Sequence, residues 1–376
     1  MKIVYSSESR IYCLEGGKKT EIPCERSAKY RQTVDSIRRR NEWKTTGRGA
    51  QFQGTMKEYE DSSDVYVDMQ GLCGYDGRLI YSLTLDGSSC LYHRGADRSE
   101  NDEGLIISSN TLYFGGVDYY DGKLAASMGH TPDERHIALF DPPSPIYNEY
   151  TDGDSQETAP YFSRSVKGRL YFSTCGNARG DHGGVTAVSN RTGAYIDTDT
   201  SEMTELLCDE KYDFLSLKDD SDGNLYYIRQ PYHTAKPEKF RISDVFFFPF
   251  RLIKALGGWL NFMSVIWGGE SLNGKTPDDM IGERAGRRSR RDLIIDGNII
   301  KAEHLADKNG REEPLLPAER VLIKREPDGA ETVVAKGVLD YAVTPDGEIV
   351  RSDGRYIIMP GGEKVKAHLA RNLTVL

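Results

Sequence analysis

Cysteine is scarce in this sequence, and its distribution excludes the usual cysteine-based sites. The 376 residues include six cysteines, and no two of them form a C-x-x-C pair. Closely spaced cysteine pairs are the usual sign of a zinc or redox site, so neither site is predicted. The first residues, MKIVYSSESR, also lack the apolar core of a signal peptide. We therefore expect reduced thiols in the cytosol rather than an extracellular disulfide framework.

Positive charge is also in deficit. Lys and Arg total 49 against 58 Asp and Glu, so the formal net charge is −9. General nucleic-acid binding depends on a cationic surface that displaces counterions from phosphates, and this composition argues against it. The seven histidines show no paired metal-ligand spacing, and no G-x-S-x-G nucleophile elbow is present. We accordingly predict no catalytic residue, no metal and no cofactor.

What the sequence does contain is a recurring hairpin. Five stretches place a glycine before a polar residue and then an alternating apolar strand: GYDGRLIYSL, YYDGKLAASM, SVKGRLYFST, DSDGNLYYIR and TPDGEIVRSD. Their turn glycines are Gly77, Gly122, Gly168, Gly223 and Gly347. Glycine adopts the positive φ that a tight turn needs, and the aspartate that precedes most of these glycines can bond the turn backbone. Each copy therefore predicts a β-hairpin.

Further strands flank each hairpin and complete a four-stranded unit. A strand such as APYFSR or LDYAVT precedes the hairpin, and two more, such as RHIALFDPPS and IYNEYTDG, follow it. Four antiparallel strands repeated every ~40 to 50 residues are typical of a propeller blade, which must stack on its neighbours to bury both faces. The predicted fold class is therefore all-β, a β-propeller.

The two ends of the chain are predicted to complete one blade together. SESRIYCLEGGKKTEI, near the start, resembles SDGRYIIMPGGEKVKAH, near the end, so both ends carry blade-like hairpins. We expect the last segment, RNLTVL (residues 371–376), to pair with KIVYSS near the start, which leaves no open edge in the ring. Counted in this way, the chain forms about six blades.

The repeats resemble those of TolB-like six-bladed propellers, a repeat also found in the non-catalytic domain of prolyl-oligopeptidase-type enzymes. The best match is DGDSQETAPYFSRSVKGRLYFST (residues 152–174), in which Pro160, Phe162 and Ser163 precede a turn and an apolar strand. This copy departs from the family at residues 166–167, Val-Lys, where Pro-Asp is usual; the Pro-Asp-Gly form occurs at residues 345–347. The resemblance implies a binding scaffold, although a fold alone does not define a function.

A first insertion, about residues 27–60, interrupts the repeats. Its sequence SAKYRQTVDSIRRRNEWK has Tyr30, Val34 and Ile37 at helical spacing, which predicts a short amphipathic helix. Ser27 is available as its N-cap. We interpret the IRRR run as a solvated face of that helix.

A second insertion, about residues 234–318, separates strand NLYYIRQPY from strand ERVLIKREPDG. It is far longer than ordinary connections between strands. Its segment DVFFFPFRLIKALGGWLNFMSVIWGG predicts a helix that is apolar around most of its circumference. The one polar stripe of this helix consists of Arg251, Lys254, Gly258 and Asn261.

Three locations are open for this apolar helix. It can pack on the propeller as a lid, form a groove for a protein partner or a second copy, or dock on a membrane surface beside the arginine cluster in ERAGRRSRRD. A true membrane span is disfavoured, because Arg251, Lys254 and Asn261 would be costly in hydrocarbon. The predicted partner or membrane contacts are Phe246, Phe250, Trp259, Phe262, Trp267, Arg287, Arg288, Arg290 and Arg291.

The same insertion contains a match to a phosphate-binding loop. GESLNGKT, residues 269–276, satisfies G-x-x-x-x-G-K-[ST], and Gly274, Lys275 and Thr276 would bind the nucleotide. The later LIID could serve as the acidic strand of such a site. Pro277, however, disfavours the helical conformation that Thr276 would need, and the insertion leaves little room for a parallel sheet. The context thus argues against nucleotide hydrolysis.

These features together predict a cytosolic, non-enzymatic propeller that binds a protein partner, with peripheral contact to the inner membrane face as a further expectation. The alternative class is an enzyme. It would be either a nucleotide hydrolase that uses residues 269–276 or a hydrolase with a site at the central mouth of the propeller. Nucleic acid is not an expected partner.

Overall fold

The fold is known from a computed structural model that describes most of the chain. The described residues are 1–45, 67–85, 87–96, 102–131, 133–180, 183–232, 293–300 and 313–376. The chain divides into two units by its contacts. The first unit, Met1–Ser36 with Tyr66–Tyr232 and Gly310–Leu376, contains the repeats. The second unit is Ile37–Val65 with His233–Asn309.

Six four-stranded antiparallel sheets form the first unit, and each sheet is one blade. The inner strands of blades 1 to 6 are β28 (Arg371–Val375), β4 (Val67–Tyr75), β8 (Tyr113–Tyr120), β12 (Thr158–Phe162), β18 (Tyr212–Asp219) and β24 (Asp340–Val343). The second strands, in the same order, are β1 (Lys2–Ser7), β5 (Arg78–Leu85), β9 (Lys123–Gly129), β13 (Arg169–Thr174), β19 (Leu225–Pro231) and β25 (Ile349–Ser352). Consecutive inner strands contact one another around a closed ring. The predicted six-bladed, all-β fold is confirmed.

The remaining strands of each blade lie further from the ring. The third strands of blades 1 to 6 are β2 (Arg10–Glu15), β6 (Ser88–Gly95), β10 (His136–Phe140), β16 (Thr192–Asp197), β22 (Val321–Arg325) and β26 (Tyr356–Ile358). The outer strands are β3 (Lys18–Ile22), β7 (Gly104–Ser109), β11 (Tyr147–Glu149), β17 (Met203–Leu207), β23 (Glu331–Lys336) and β27 (Lys364–Lys366). Blades 2, 3 and 6 follow the chain without interruption by other strands.

Blade 1 is assembled from both ends of the chain. Strand β28 pairs with β1 in antiparallel register, with Ile3 opposite Val375 and Ser6 opposite Arg371. Leu373 in β28 is buried, and the backbone N–H of Leu376 donates to the carbonyl of Lys2 at 2.9 Å. The predicted pairing of the two terminal segments is therefore confirmed.

The repeated hairpins join the inner and second strands of blades 2 to 6. All five predicted turn glycines have positive φ, between 76° and 81°. The expected role of the aspartates that precede these glycines is not confirmed. In blade 5 the backbone N–H groups of Asp222 and Asn224 donate to Asp220, not to the residue before the glycine. Asp76 instead accepts a hydrogen bond from the Tyr119 hydroxyl of the next blade, at 3.0 Å.

A β-bulge in the inner strands brings neighbouring blades close together. In blades 1 to 5, two residues of the inner strand face one residue of the second strand near the middle of the pair. A Cβ atom at Gly71, immediately after the β4 bulge, would lie 2.5 Å from the carbonyl oxygen of Gly115 in β8, so only glycine fits. Ser82 also donates to that carbonyl at 2.8 Å, and Ser127 donates to the carbonyl of Glu157 at 2.6 Å.

The hydrophobic core lies between successive blades. Apolar side chains of one blade pack on those of the next because a single sheet exposes two faces. Representative pairs in these clusters are Ile80 with Phe114, Ala125 with Phe172, Tyr171 with Phe214, Ile228 with Tyr341, and Ile3 with Ile357. Each fully buried aliphatic or aromatic side chain contributes about 1.5–3 kcal/mol relative to an exposed one.

The predicted helix in the first insertion is α1 (Glu25–Thr45), and its N-terminus is capped differently from our expectation. The helix begins before Ser27, so Ser27 is not the N-cap. The carboxylate of Glu103 accepts hydrogen bonds from the backbone N–H groups of Glu25 and Arg26, at 2.6 and 3.4 Å. Glu103 is distant in sequence, so no local pattern indicates this cap. The amphipathic character of α1 stays a prediction.

Among the residues that the structure describes, two short hairpins lie outside the blades. The sequence NARGDHGG contains β14 (Asn177–Arg179), which pairs with β15 (Val185–Val188) between β13 and β16. The second unit contains β20 (Leu293–Ile295) and β21 (Asn298–Ile300). Strand β20, which includes most of the LIID sequence, pairs antiparallel with β21 in a two-stranded sheet. The predicted limits of the two insertions stay predictions.

Candidate functional site

The propeller has two sides that carry different features. We call one side the hairpin side, because the inner strand of each blade ends there and turns into the second strand. The two ends of the described chain, at Lys2 and Val375, lie on the same side. On the opposite side, the outer strand of each blade leads to the inner strand of the next; we call this the crossover side. The second insertion leaves and returns on the crossover side, between β19 and β22. The first insertion occupies the crossover from β3 to β4.

The residues predicted from sequence to make the functional contacts lie outside the described residues. This holds for the partner or membrane contacts and for the nucleotide-loop candidates alike. They are Phe246, Phe250, Trp259, Phe262, Trp267, Arg287, Arg288, Arg290, Arg291, Gly274, Lys275 and Thr276. The described residues therefore show the two sides of the propeller and the stems of the second insertion.

The most developed polar cluster is centred on Arg164, on the hairpin side of blade 4. One Nη atom of Arg164 lies 3.1 Å from each carboxylate oxygen of Asp118. The guanidinium carbon lies 4.4 Å from the ring centroid of Tyr120 and 4.4 Å from that of Tyr161. Burial alone would lower the pKa of Arg164, but the Asp118 carboxylate raises the pKa above its usual value. Arg164 is thus held as a cation between two rings and a carboxylate.

Asp219, from blade 5, completes this cluster from the other side. Its buried carboxylate accepts hydrogen bonds from the hydroxyls of Ser163 and Ser165 and from the backbone N–H groups of Arg164 and Ser165. Carboxylates of blades 3 and 5 therefore hold the turn of blade 4 between them. Because these buried polar groups have partners inside the propeller, the cluster acts as a tie between blades rather than as a ligand site.

A second buried cluster resembles a catalytic triad in composition but not in arrangement. His136 Nδ1 lies 3.2 Å from a carboxylate oxygen of Glu157, and the two residues are only 6% and 3% exposed. The hydroxyls of Thr151 and Thr174 donate to the same carboxylate, at 3.3 and 3.0 Å. An activated nucleophile would instead donate its proton to the imidazole. The arrangement stabilises a buried carboxylate and does not activate a hydroxyl.

The thiols do not favour nucleophilic chemistry either. All six cysteines are free, and five of them are buried. Burial raises the pKa of Cys24 to about 11 and also raises the pKa of Cys73 and Cys175. A hydrogen bond with Glu205 raises the pKa of the exposed Cys208. Because the thiolate is the nucleophile, raised pKa values keep these four thiols in the unreactive form.

The described ranges contain neither a metal-binding group of side chains nor a helix suited to crossing a bilayer. In that part of the chain, no three His, Cys, Asp or Glu side chains lie together as a metal-binding group. No helix there combines the length and hydrophobicity that crossing a bilayer requires.

Both stems of the second insertion are fixed to the propeller. The outgoing stem ends at Tyr232, whose N–H donates to the carbonyl of Lys211 at 2.8 Å and whose hydroxyl donates to the carbonyl of Val188 at 2.5 Å. On the return, the N–H of Leu315 donates to the carbonyl of Asp353 in blade 6 at 2.9 Å. The crossover side of blades 4 to 6 is therefore the base of the insertion, and we take it as the candidate functional region.

Close packing also holds the returning stem. Leu315 and Leu316 are buried, and a Cβ atom at Gly337 would lie 2.5 Å from the Cβ atom of Pro314. Gly337 also has φ +64°, so a side chain there would be strained as well as crowded. Sequence reasoning missed this stem. The prolines and leucines of EPLLPAER were the available signal for a buried, non-repetitive segment.

Comparison with known proteins assigns neither a family nor a function to this chain. No family model and no curated protein sequence matches this chain. Solved structures that resemble it include TolB from Acinetobacter baumannii, with a TM-score of 0.48 and 8% identity over 99% of this chain and 65% of that one. A putative TolB from Agrobacterium tumefaciens has a TM-score of 0.39 and 13% identity over 64% of this chain and 68% of that one.

Another similar structure is a puromycin hydrolase, with a TM-score of 0.33 and 9% identity over 44% of this chain. The chain spans only 25% of the length of that hydrolase. Solved TolB structures are among those that resemble this chain, in agreement with the resemblance stated from the sequence. The TM-scores of these three structures are all below 0.5, so nothing about this chain is concluded from them.

Proposed function

We propose that this chain is a non-catalytic binding propeller that engages a protein partner through its second insertion. The observation that carries the proposal is that the crossover side of the propeller fixes both stems of that insertion, at Tyr232 and at Leu315. The propeller is thereby suited to present the insertion, as a scaffold would. The proposed location is the cytoplasm.

The composition of the insertion supports binding to a protein. Aromatic side chains and arginine are the residue types that dominate binding energy at protein interfaces. Trp259, Phe262 and Trp267 supply the first type, and residues 287–291 supply the second with four arginines. We propose these residues as the contact set, together with Phe246 and Phe250.

A finer version of the proposal adds a membrane surface. Aromatic residues beside clustered arginines are typical of peripheral anchors, because rings enter the headgroup region while arginines attract anionic lipid. The cytoplasmic leaflet is the anionic one, so contact would occur at the inner face.

Two variants of the full chain test the proposal and separate its versions. The first is Trp259→Ser with Phe262→Ser, and the second replaces Arg287, Arg288, Arg290 and Arg291 with Gln. A matched control is Met203→Ser, an exposed apolar position on β17. Cross-linked capture from the same lysate and sedimentation with phosphatidylserine or phosphatidylcholine vesicles are the measurements.

We expect the aromatic variant to lose specific captured proteins that the control retains. If a membrane is involved, the arginine variant should lose sedimentation with anionic vesicles. Capture and sedimentation that are unchanged in both variants would refute the proposal.

The enzyme alternatives have direct tests of their own. We expect no binding heat when Mg-ATP is titrated into the full chain; heat that disappears in Lys275→Ala would replace the proposal with nucleotide chemistry. A panel of peptide and ester substrates tests a hydrolase at the central mouth. Turnover that survives purification to homogeneity would contradict the non-catalytic assignment.

A further inference from the structure

Blade 5 closes its second and third strands in an unusual way. In blade 2, only two residues separate Leu85 at the end of β5 from Ser88 at the start of β6. In blade 5, the whole second insertion separates Pro231 at the end of β19 from Val321 at the start of β22. A long connection closes a strand pair at a greater entropic cost than a tight turn. The open end of this pair therefore needs another means of closure.

Arg320, the residue immediately before β22, lies at that open end. It is only 2% exposed. Its Nη1 donates to the side-chain oxygen of Gln230, near the end of β19, at 2.6 Å. Its Nε donates to the carbonyl of Val338 at 2.7 Å, and its Nη2 donates to that of Leu339 at 3.2 Å. One side chain thus joins the outgoing strand, the returning strand and the crossover to blade 6.

Asp213 fixes the direction of the Gln230 amide. The Nε2 atom of Gln230 donates to an Asp213 carboxylate oxygen at 3.2 Å, so its Oε1 atom faces Arg320. The other Asp213 oxygen accepts the backbone N–H of Arg191 at 2.8 Å. Arginine can only donate, so this orientation matches donor to acceptor along the chain. All three side chains, Asp213, Gln230 and Arg320, are nine-tenths or more buried.

The backbone around Arg320 strengthens the same junction. The N–H groups of Gly337 and Val338 both donate to the carbonyl of Arg320, at 2.7 and 3.3 Å. The N–H of Arg320 itself donates to the carbonyl of Pro317 at 3.1 Å and closes a turn in the returning stem. The side chain and the backbone of Arg320 therefore both bind the crossover to blade 6, at Val338.

We propose that Arg320 is a positioning residue that replaces the missing turn of blade 5. Through Gln230 it holds together the two strands from which the second insertion leaves and to which it returns. Blade 5 therefore stays closed at this end without a turn between β19 and β22. The insertion is then attached as a separate module, consistent with the assignment of His233–Asn309 to a different unit from the propeller. This inference does not depend on what the insertion binds.

Hydrogen exchange measured by mass spectrometry on the full chain tests the proposal. In Arg320→Leu, we expect at least a tenfold faster exchange in the peptides that contain the ends of β19 and β22. Peptides from the hairpin side of the same blade, around residues 219–225, should stay close to wild type. Arg320→Lys keeps the charge and some of the hydrogen bonds, and should give an intermediate rate.

Two controls separate positioning from a general loss of packing. Gln230→Leu removes the partner and should reproduce the local effect of Arg320→Leu. Arg94→Leu changes another deeply buried arginine, in blade 2, and should leave the ends of β19 and β22 unaffected. Equal acceleration on both sides of blade 5 in Arg320→Leu, or no acceleration at its open end, would overturn the proposal. Partner capture by the wild-type chain is unaffected by either outcome, so this failure is distinguishable from failure of the proposed function.

Discussion

The hairpin side and the crossover side of this propeller use buried polar groups for different purposes. On the hairpin side, Asp118 and Asp219 hold the short turn of blade 4 from two neighbouring blades. On the crossover side, Arg320 and Gln230 join strands whose connection is long. The first arrangement ties blade to blade, whereas the second closes one blade around an insertion.

The difference shows where this fold tolerates variation. The hairpin side carries tight turns with left-handed glycines and the paired ends of β1 and β28. The crossover side accommodates both insertions and the additional β14–β15 hairpin. Binding sites commonly occur in loops that a rigid scaffold positions, and here the scaffold leaves that freedom on one side.

The largest expected effect comes from breaking the ring on the hairpin side. Deleting residues 371–376 removes the inner strand of blade 1 and exposes an edge of β1. We expect loss of cooperative unfolding and aggregation on expression, because the sheet edge and the adjacent core open together. Circular dichroism during heating and size-exclusion chromatography are the measurements. Replacing Arg371 alone with Ala, at an exposed position, should leave the fold intact.

The next largest effect is expected from removing the Asp219 carboxylate, which accepts four hydrogen bonds from the turn of blade 4. Asp219→Ala leaves four donors of the blade 4 turn without their acceptor, and should lower the free energy of unfolding by about 3 kcal/mol. Urea denaturation measures this change. Lys167→Ala, which removes an exposed ion pair with Asp121, should change the same free energy by less than about 1 kcal/mol. Equal effects of the two substitutions would contradict the distinction drawn here.

The serines between blades should give a smaller effect that recurs around the ring. Ser82→Ala and Ser127→Ala each leave a buried carbonyl of the next blade without its donor, so we expect about 1–2 kcal/mol of destabilisation for each. Ser88→Ala removes an exposed hydrogen bond to Asn110 and serves as the control. Chemical denaturation should rank both buried serines above the control.

The smallest expected effect is a dependence of the hairpin-side turns on pH. Hydrogen bonds from backbone N–H groups lower the pKa of Asp102 and of Asp197. A carboxyl group with a lower pKa in the folded state stabilises the fold above its unfolded pKa, near about 4, and loses that contribution as the pH falls through the folded value. Thermal midpoints measured from neutral to acid pH should fall less steeply for Asp102→Asn with Asp197→Asn than for wild type. An identical fall of the thermal midpoint with pH in the variant and the wild type would show that these two carboxyl groups do not contribute to the pH dependence of stability.

The fold could be predicted because its determinants are local and repeated. Turn glycines such as Gly77 and Gly122 occur at corresponding positions of successive blades, and the terminal sequences match blade sequences from elsewhere in the chain. The sequence also contained a signal for the serines that join blades, since Ser82, Ser127 and Ser173 each stand five residues after a turn glycine. We did not draw that inference from the sequence.

The site was less predictable because its contacts are distant in sequence. Glu103 caps a helix that begins 78 residues earlier, and Arg320 binds Gln230 across 90 residues. No spacing rule relates such pairs, because the fold alone brings them together. The predicted contact residues of the second insertion, from Phe246 to Arg291, stay predictions for the variants described above.

The pairing of β1 with β28 also constrains how the chain folds during synthesis. The ribosome releases β1, β2 and β3 before the strands of the other blades and makes β28 after them, so the edge of β1 stays uncovered while those blades are synthesised. Chaperone binding near residues 2–7 would protect that edge until synthesis reaches β28.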